Sequence, residues 1–87
     1  MASIKYHRRA VKGLRSLPIR DRKKLLVALA DIADGRTKGK DIVNLKGREG
    51  FRYRQGRYRA IYRLDDVGNQ LIIMVVMDVG PRGGIYQ

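Results

Sequence analysis

The stretch FRYRQGRYRAIYRL, residues 51–64, holds Arg52, Arg54, Arg57, Arg59 and Arg63, alternating with aromatic and apolar side chains. A guanidinium is a planar fork of donors that grips a phosphate through two parallel hydrogen bonds and keeps its charge at any relevant pH. A lone arginine on an exposed sheet face is ordinary, since its stem covers apolar surface while its head stays wet. Several together are not. Like charges opposite one another on neighbouring strands cost roughly 0.2–1 kcal/mol per pair, so an external anion is expected to offset them, and Arg82 beyond the next strand adds to the set. A phosphate backbone is the natural anion. The aromatics are few and fall on the alternate, core-directed positions, which argues for phosphate gripping rather than base stacking. His7 is the only histidine; imidazole suits proton transfer at neutral pH, but His7 opens a helix in YHRR, far along the chain from the arginines, and reads as a surface residue.

These side chains need a frame. The 87 residues suffice for one domain, 1–87, with a modest core, and the formal net charge of +12 points to a polyanionic or acidic partner. With no cysteine and one histidine, neither a disulfide framework nor a zinc cluster is expected, and no cofactor is called for. The start MASIKYHRRA lacks a signal peptide's apolar stretch, and LIIMVVM is far too short to cross a bilayer, so no membrane partner and a cytoplasmic location are expected.

Residues 2–6 suit a short strand. Ala10, Val11, Leu14 and Leu17 then recur at helical spacing, Pro18 interrupts, and a second helix starting at Ile19 to Asp21 carries Leu25, Leu26, Leu29, Ile32 and Ala33 before a C-cap at Gly35. DIVNL within the polar connection reads as a turn or a short strand. From Phe51 the period becomes two. Phe51 and Tyr53 oppose Arg52 and Arg54, QG turns the chain, and Tyr58, Ala60, Tyr62 and Leu64 form a core set opposite Arg57, Arg59, Ile61 and Arg63. After the turn DDVGN, residues 70–79 are apolar on both faces and belong inside the sheet. The expected fold is α+β: a strand, an antiparallel helical hairpin and a three-stranded antiparallel meander, with the helices on one face.

The closing VMDVGPRGGIYQ, a strand followed by Val-Gly-x-Arg and a tyrosine four residues on, together with RYRAIYRL and the LKG at 45–47, resembles the RelE side of the RelE/ParE toxin superfamily. The likeness spans nearly the whole chain. It implies the toxin of a type II toxin–antitoxin system, a metal-independent endoribonuclease that enters the ribosomal A site, cuts messenger RNA by 2′-hydroxyl attack and is restrained by a RelB-like antitoxin bearing an acidic helix. The resemblance assigns Arg59 and Arg82 to charge stabilisation at the reacting phosphate and Tyr86 to proton transfer or base stacking. It gives Arg52 and Arg54, with Arg57 and Lys46, to holding RNA. Some relatives have lysine in the first pair; an arginine there cannot serve as a general base. Two further readings stand beside this one: a ParE-like inhibitor of DNA gyrase, and an RNA- or ribosome-binding domain without catalysis.

Overall fold

The computed structural model describes residues 3–68 and 72–81. The elements run β1 (Ser3–Tyr6), α1 (Arg8–Arg15), α2 (Ile19–Ala33), β2 (Asp41–Asn44), β3 (Phe51–Gln55), β4 (Tyr58–Asp66) and β5 (Ile72–Pro81). The strands form one five-stranded sheet in the order β1-β5-β4-β3-β2. β2 to β5 make an antiparallel meander, and β1 lies parallel to β5 with Ser3 opposite Ile73 and Tyr6 opposite Val76. The α+β class and both helices agree with the sequence reading, but the meander is one strand longer than expected. DIVN pairs with β3, placing Asp41 opposite Arg54 and Val43 opposite Arg52. β5, flanked by β1 and β4, is an interior strand, as its two apolar faces require.

Neither helix has the length to persist alone in water. α1 buries Ala10 and Leu14, with Leu17 just beyond it, and α2 buries Leu25, Ala28, Leu29, Ile32 and Ala33. These meet Tyr53, Ala60, Tyr62, Met74, Val76 and Val79 from one sheet face. Phe51 stacks on Tyr62 at a centroid distance of 5.2 Å across β3 and β4. Leu64, read from the alternation as core, is 48% exposed near the end of β4, where Val67 and Ile72 are also exposed. The pattern gave its face correctly, but the helices do not cover the strand that far.

Two junctions fix the helical layer. α1 passes so close to β5 that a Cβ built on Gly13 would stand 2.0 Å from the Val79 carbonyl oxygen, so only glycine fits. Arg22 of α2 reaches back to the end of α1: its Nε donates to the Leu14 carbonyl at 3.0 Å and its Nη2 to those of Arg15 and Leu17 at 3.4 Å. Those carbonyls sit where a helix runs out of its own donors. α2 ends as expected, with Gly35 at φ 83° and the bonds Arg36 N to Asp31 O, 2.8 Å, and Gly35 N to Ile32 O, 3.0 Å, which close a Schellman motif.

β5 carries a bulge. Ile61 lies opposite Asp78 while Tyr62 lies opposite Val76, so Met77 is an extra residue in the strand. Val76 and Val79 thus both face the helices, whereas Asp78 joins the opposite face.

Candidate nucleic-acid interface

The sheet face away from the helices gathers the arginines. Strand alternation and register place Arg52 and Arg54 of β3 beside Ile61 and Arg59 of β4, and Arg63 follows one step further along the same face. Arg57 is exposed at the two-residue turn joining β3 to β4, and Lys46 is exposed in the connection between β2 and β3. Arg82 and Tyr86 lie outside the described residues.

Much of the expected repulsion is offset within the chain by carboxylates, ahead of any external anion. Arg54 and Arg59 oppose each other directly. Each has an aspartate on its far side: Arg54 Nε donates to Asp41 Oδ2 at 2.8 Å from β2, and Arg59 Nη1 lies 3.7 Å from Asp78 Oδ2 on β5. Arg63 Nε donates to Asp65 Oδ1 at 2.9 Å. That bond and the charge of Asp65 hold the Arg63 guanidinium above its usual range. Linear spacing of arginines cannot display the first two of these pairings, because Asp41 and Asp78 arrive from other strands.

Arg59 differs from its neighbours. It is only 5% exposed, and its guanidinium lies over Gly80, where an added Cβ would stand 3.7 Å from both terminal nitrogens. A buried guanidinium acts on a ligand chiefly through its field and by anchoring neighbours, since its solvent-facing surface is small. Arg52 and Arg54 are half-buried, and Arg52 Nε is itself covered.

The structure adds residues that the sequence reading set aside. A cleft of about 240 Å³ on this face is lined by His7, Arg9, Arg48, Ile61, Arg63, Met77 and Asp78. His7 is on the surface, as expected, but β1 and the start of α1 deliver it to the arginine face. Its backbone N donates to the Val76 carbonyl at 2.9 Å, and its Nδ1 accepts from Arg9 N at 3.1 Å, capping α1. This bond gives Nδ1 the acceptor role, so neutral His7 carries its proton on Nε2.

The tyrosines of the helix-facing side do no proton chemistry on this face. Burial pushes the Tyr62 hydroxyl up to about 12 and raises that of Tyr6; burial, then Asp31 and Asp41, raises that of Tyr53. Among the described residues no cluster of three or more histidine, aspartate or glutamate side chains could hold a metal ion, and no helix is long and apolar enough to cross a membrane.

Residues 4–86 match the family described as ParE toxin of type II toxin-antitoxin system, parDE. The chain belongs to this family of the RelE/ParE toxin superfamily. The toxin is similar to a chain in the crystal structure of the toxin–antitoxin complex RelBE2 from Mycobacterium tuberculosis, at TM-score 0.70 and 23% identity, covering 93% of this chain and 98% of that one. It is also similar to a chain of the RelB–RelE antitoxin–toxin complex from Methanococcus jannaschii, at TM-score 0.66 and 25% identity, covering 93% of each. The first likeness speaks for the fold alone. No curated protein matches the toxin.

Proposed function

We propose that this toxin is a RelE-like messenger-RNA interferase, which binds the ribosomal A site and cleaves the codon there without a metal. The observation that carries the reading is the gathering of Arg52, Arg54, Arg59 and Arg63 on one rigid sheet face, with His7, Arg9 and Arg48 beside them around a cleft. A sheet holds the spacing of its side chains better than a loop does, as a ligand with fixed phosphate spacing demands.

In the proposed reaction the 2′-oxygen attacks the adjacent phosphorus and the bond to the 5′-oxygen breaks. The 2′-hydroxyl proton passes to a base and another proton reaches the departing oxygen, leaving a 2′,3′-cyclic phosphate and a 5′-hydroxyl. Arg82 stabilises charge at phosphorus as a donor, where one preorganised donor is typically worth a hundredfold or more, and Arg59 adds its field from within the sheet face. Arg52, Arg54, Arg57 and Lys46 hold the flanking phosphates, and Tyr86 serves as the base. A cognate antitoxin with an acidic helix restrains the toxin, its charge complementary to the excess of +12; the two similar structures named above are of toxin–antitoxin complexes.

The matching family is that of ParE, which favours one rival, inhibition of DNA gyrase by binding. Purified toxin added to translating ribosomes and, separately, to gyrase with supercoiled DNA decides between them. Messenger cut at the A site, with lower yield from folded Arg82→Ala and Tyr86→Phe variants, is expected. Intact messenger with trapped gyrase–DNA complexes overturns the reading.

A further inference from the structure

We infer that the cleft beside α1 takes one nucleotide of the RNA and prefers guanine. The inference rests on the RNA-binding reading of this face and adds the identity of a base. At about 240 Å³ the cleft is smaller than the roughly 300–1,000 Å³ typical of drug-sized ligands. It suits one flat base with its phosphate.

Its chemistry is divided in the way a nucleotide requires. Ile61, 1% exposed, and Met77 supply apolar lining, and a thioether makes favourable contacts with an aromatic ring. Arg9, Arg48 and Arg63 supply positive charge for the phosphate. Arg63 is held in place on both sides, by Asp65 at 2.9 Å and by Met77 Sδ at 3.3 Å. Arg8 and Arg9 also stand in the first turn of α1, which contains no acidic residue, so both oppose the positive end of the helix dipole. An anion bound there relieves that repulsion.

Among the described residues, Asp78 is the only carboxylate lining the cleft. Its position is fixed by the bulge and by Arg59, and its side chain is 32% exposed. A carboxylate only accepts hydrogen bonds. Among the four RNA bases, guanine alone presents two adjacent N–H donors on its Watson–Crick edge, at N1 and the exocyclic N2, and single-stranded bases are read on that edge. Adenine and cytosine place a ring acceptor beside their amino group, and uracil flanks its one N–H with carbonyls. Each of these sets a lone pair against the carboxylate.

The test titrates the full toxin with 5′-GMP, 5′-IMP and 5′-AMP, following backbone amide shifts. GMP is expected to bind about tenfold more tightly than AMP, in line with charge-assisted hydrogen bonds. IMP, which keeps N1–H but lacks the amino group, falls between them, with shifts centred on His7, Arg9, Met77 and Asp78. Asp78→Asn brings GMP down to AMP, and Arg9→Gln weakens all three equally. Equal affinities for the three nucleotides, or shifts confined to Arg54 and Arg57, overturn the inference. If Asp78→Asn fails to fold, the ranking on the unaltered toxin still decides. Neither ribosome nor cleavage enters the titration: a GMP preference with intact messenger defeats the interferase reading alone, and cleavage without a GMP preference defeats this one alone.

Discussion

Arg59 and Asp78 sit diagonally across β4 and β5, with Nη1 3.7 Å from Oδ2, the arginine 5% exposed and the aspartate at the edge of the cleft. Removing one partner of a buried pair costs about 3–5 kcal/mol because the other charge is stranded. Asp78 retains solvent contact, so Asp78→Ala is expected to cost about 2–3 kcal/mol by that reasoning. Arg59→Met, which strands no buried charge, should cost less. Denaturant unfolding of both variants checks the order; a larger loss for Arg59→Met would show that packing outweighs charge at this position.

Gly13→Ala reverses the usual helix rule. Alanine in a helix interior normally gains about 1 kcal/mol over glycine, but here the new methyl would meet the Val79 carbonyl oxygen at 2.0 Å. The backbone must move, and a loss of at least about 1–3 kcal/mol follows. A variant as stable as the parent would mean that α1 can slide on β5.

Arg22 ties the helices together through three carbonyls of the α1 end. Arg22→Met keeps most of the stem and leaves these acceptors to water, so a loss of about 1–2 kcal/mol is expected. Hydrogen exchange should report faster opening of α1, while amides in β3 and β4 keep their protection. Uniform loss across the molecule would count against a local clamp.

Tyr62 makes stability fall in alkali. Its hydroxyl is raised to about 12 in the folded protein from an ordinary 10. Above pH 10 the unfolded chain loses this proton while the folded one keeps it, so the contribution is intact below pH 10 and is lost between 10 and 12. The expected slope is about 1.4 kcal/mol per pH unit at its steepest. The difference in unfolding free energy between the parent and Tyr62→Phe should therefore stay level below pH 10 and drift in favour of phenylalanine above it.

Asp41 competes with any phosphate for Arg54, which it holds at 2.8 Å. Exposed pairs of this kind are worth roughly 0–1 kcal/mol. Asp41→Asn is thus expected to leave folding nearly unchanged and to tighten single-stranded RNA binding by up to about fivefold at low salt. If Arg54 gains a phosphate, the log–log salt slope steepens by roughly 0.7. Unchanged affinity and slope would remove Arg54 from the RNA interface.

The parts of this fold that obey a local period were legible in the sequence. Pro18 and Gly35 bracket α2, and the alternation from Phe51 to Arg63 separates the core face from the arginine face correctly. Pairings between distant segments were not. Nothing in DIVN announces that it will lie beside β3 and bring Asp41 to Arg54, and nothing in YHRR shows that the histidine will emerge beside Asp78. The burial of Arg59 was hidden for the same reason, since its cover and its aspartate both come from β5. Arg82 and Tyr86, on which the proposed chemistry leans, rest on the sequence resemblance.

The extra residue in β5 has an evolutionary side. With Met77 removed, the order Met74, Val75, Val76, Asp78, Val79 is a plain alternating strand whose members keep their present orientations. A chain lacking that one codon would retain the same interior and carry a shallower surface, because Met77 lines the depression beside Ile61. The depth of the recess thus hangs on a single inserted residue, while the scaffold beneath it does not.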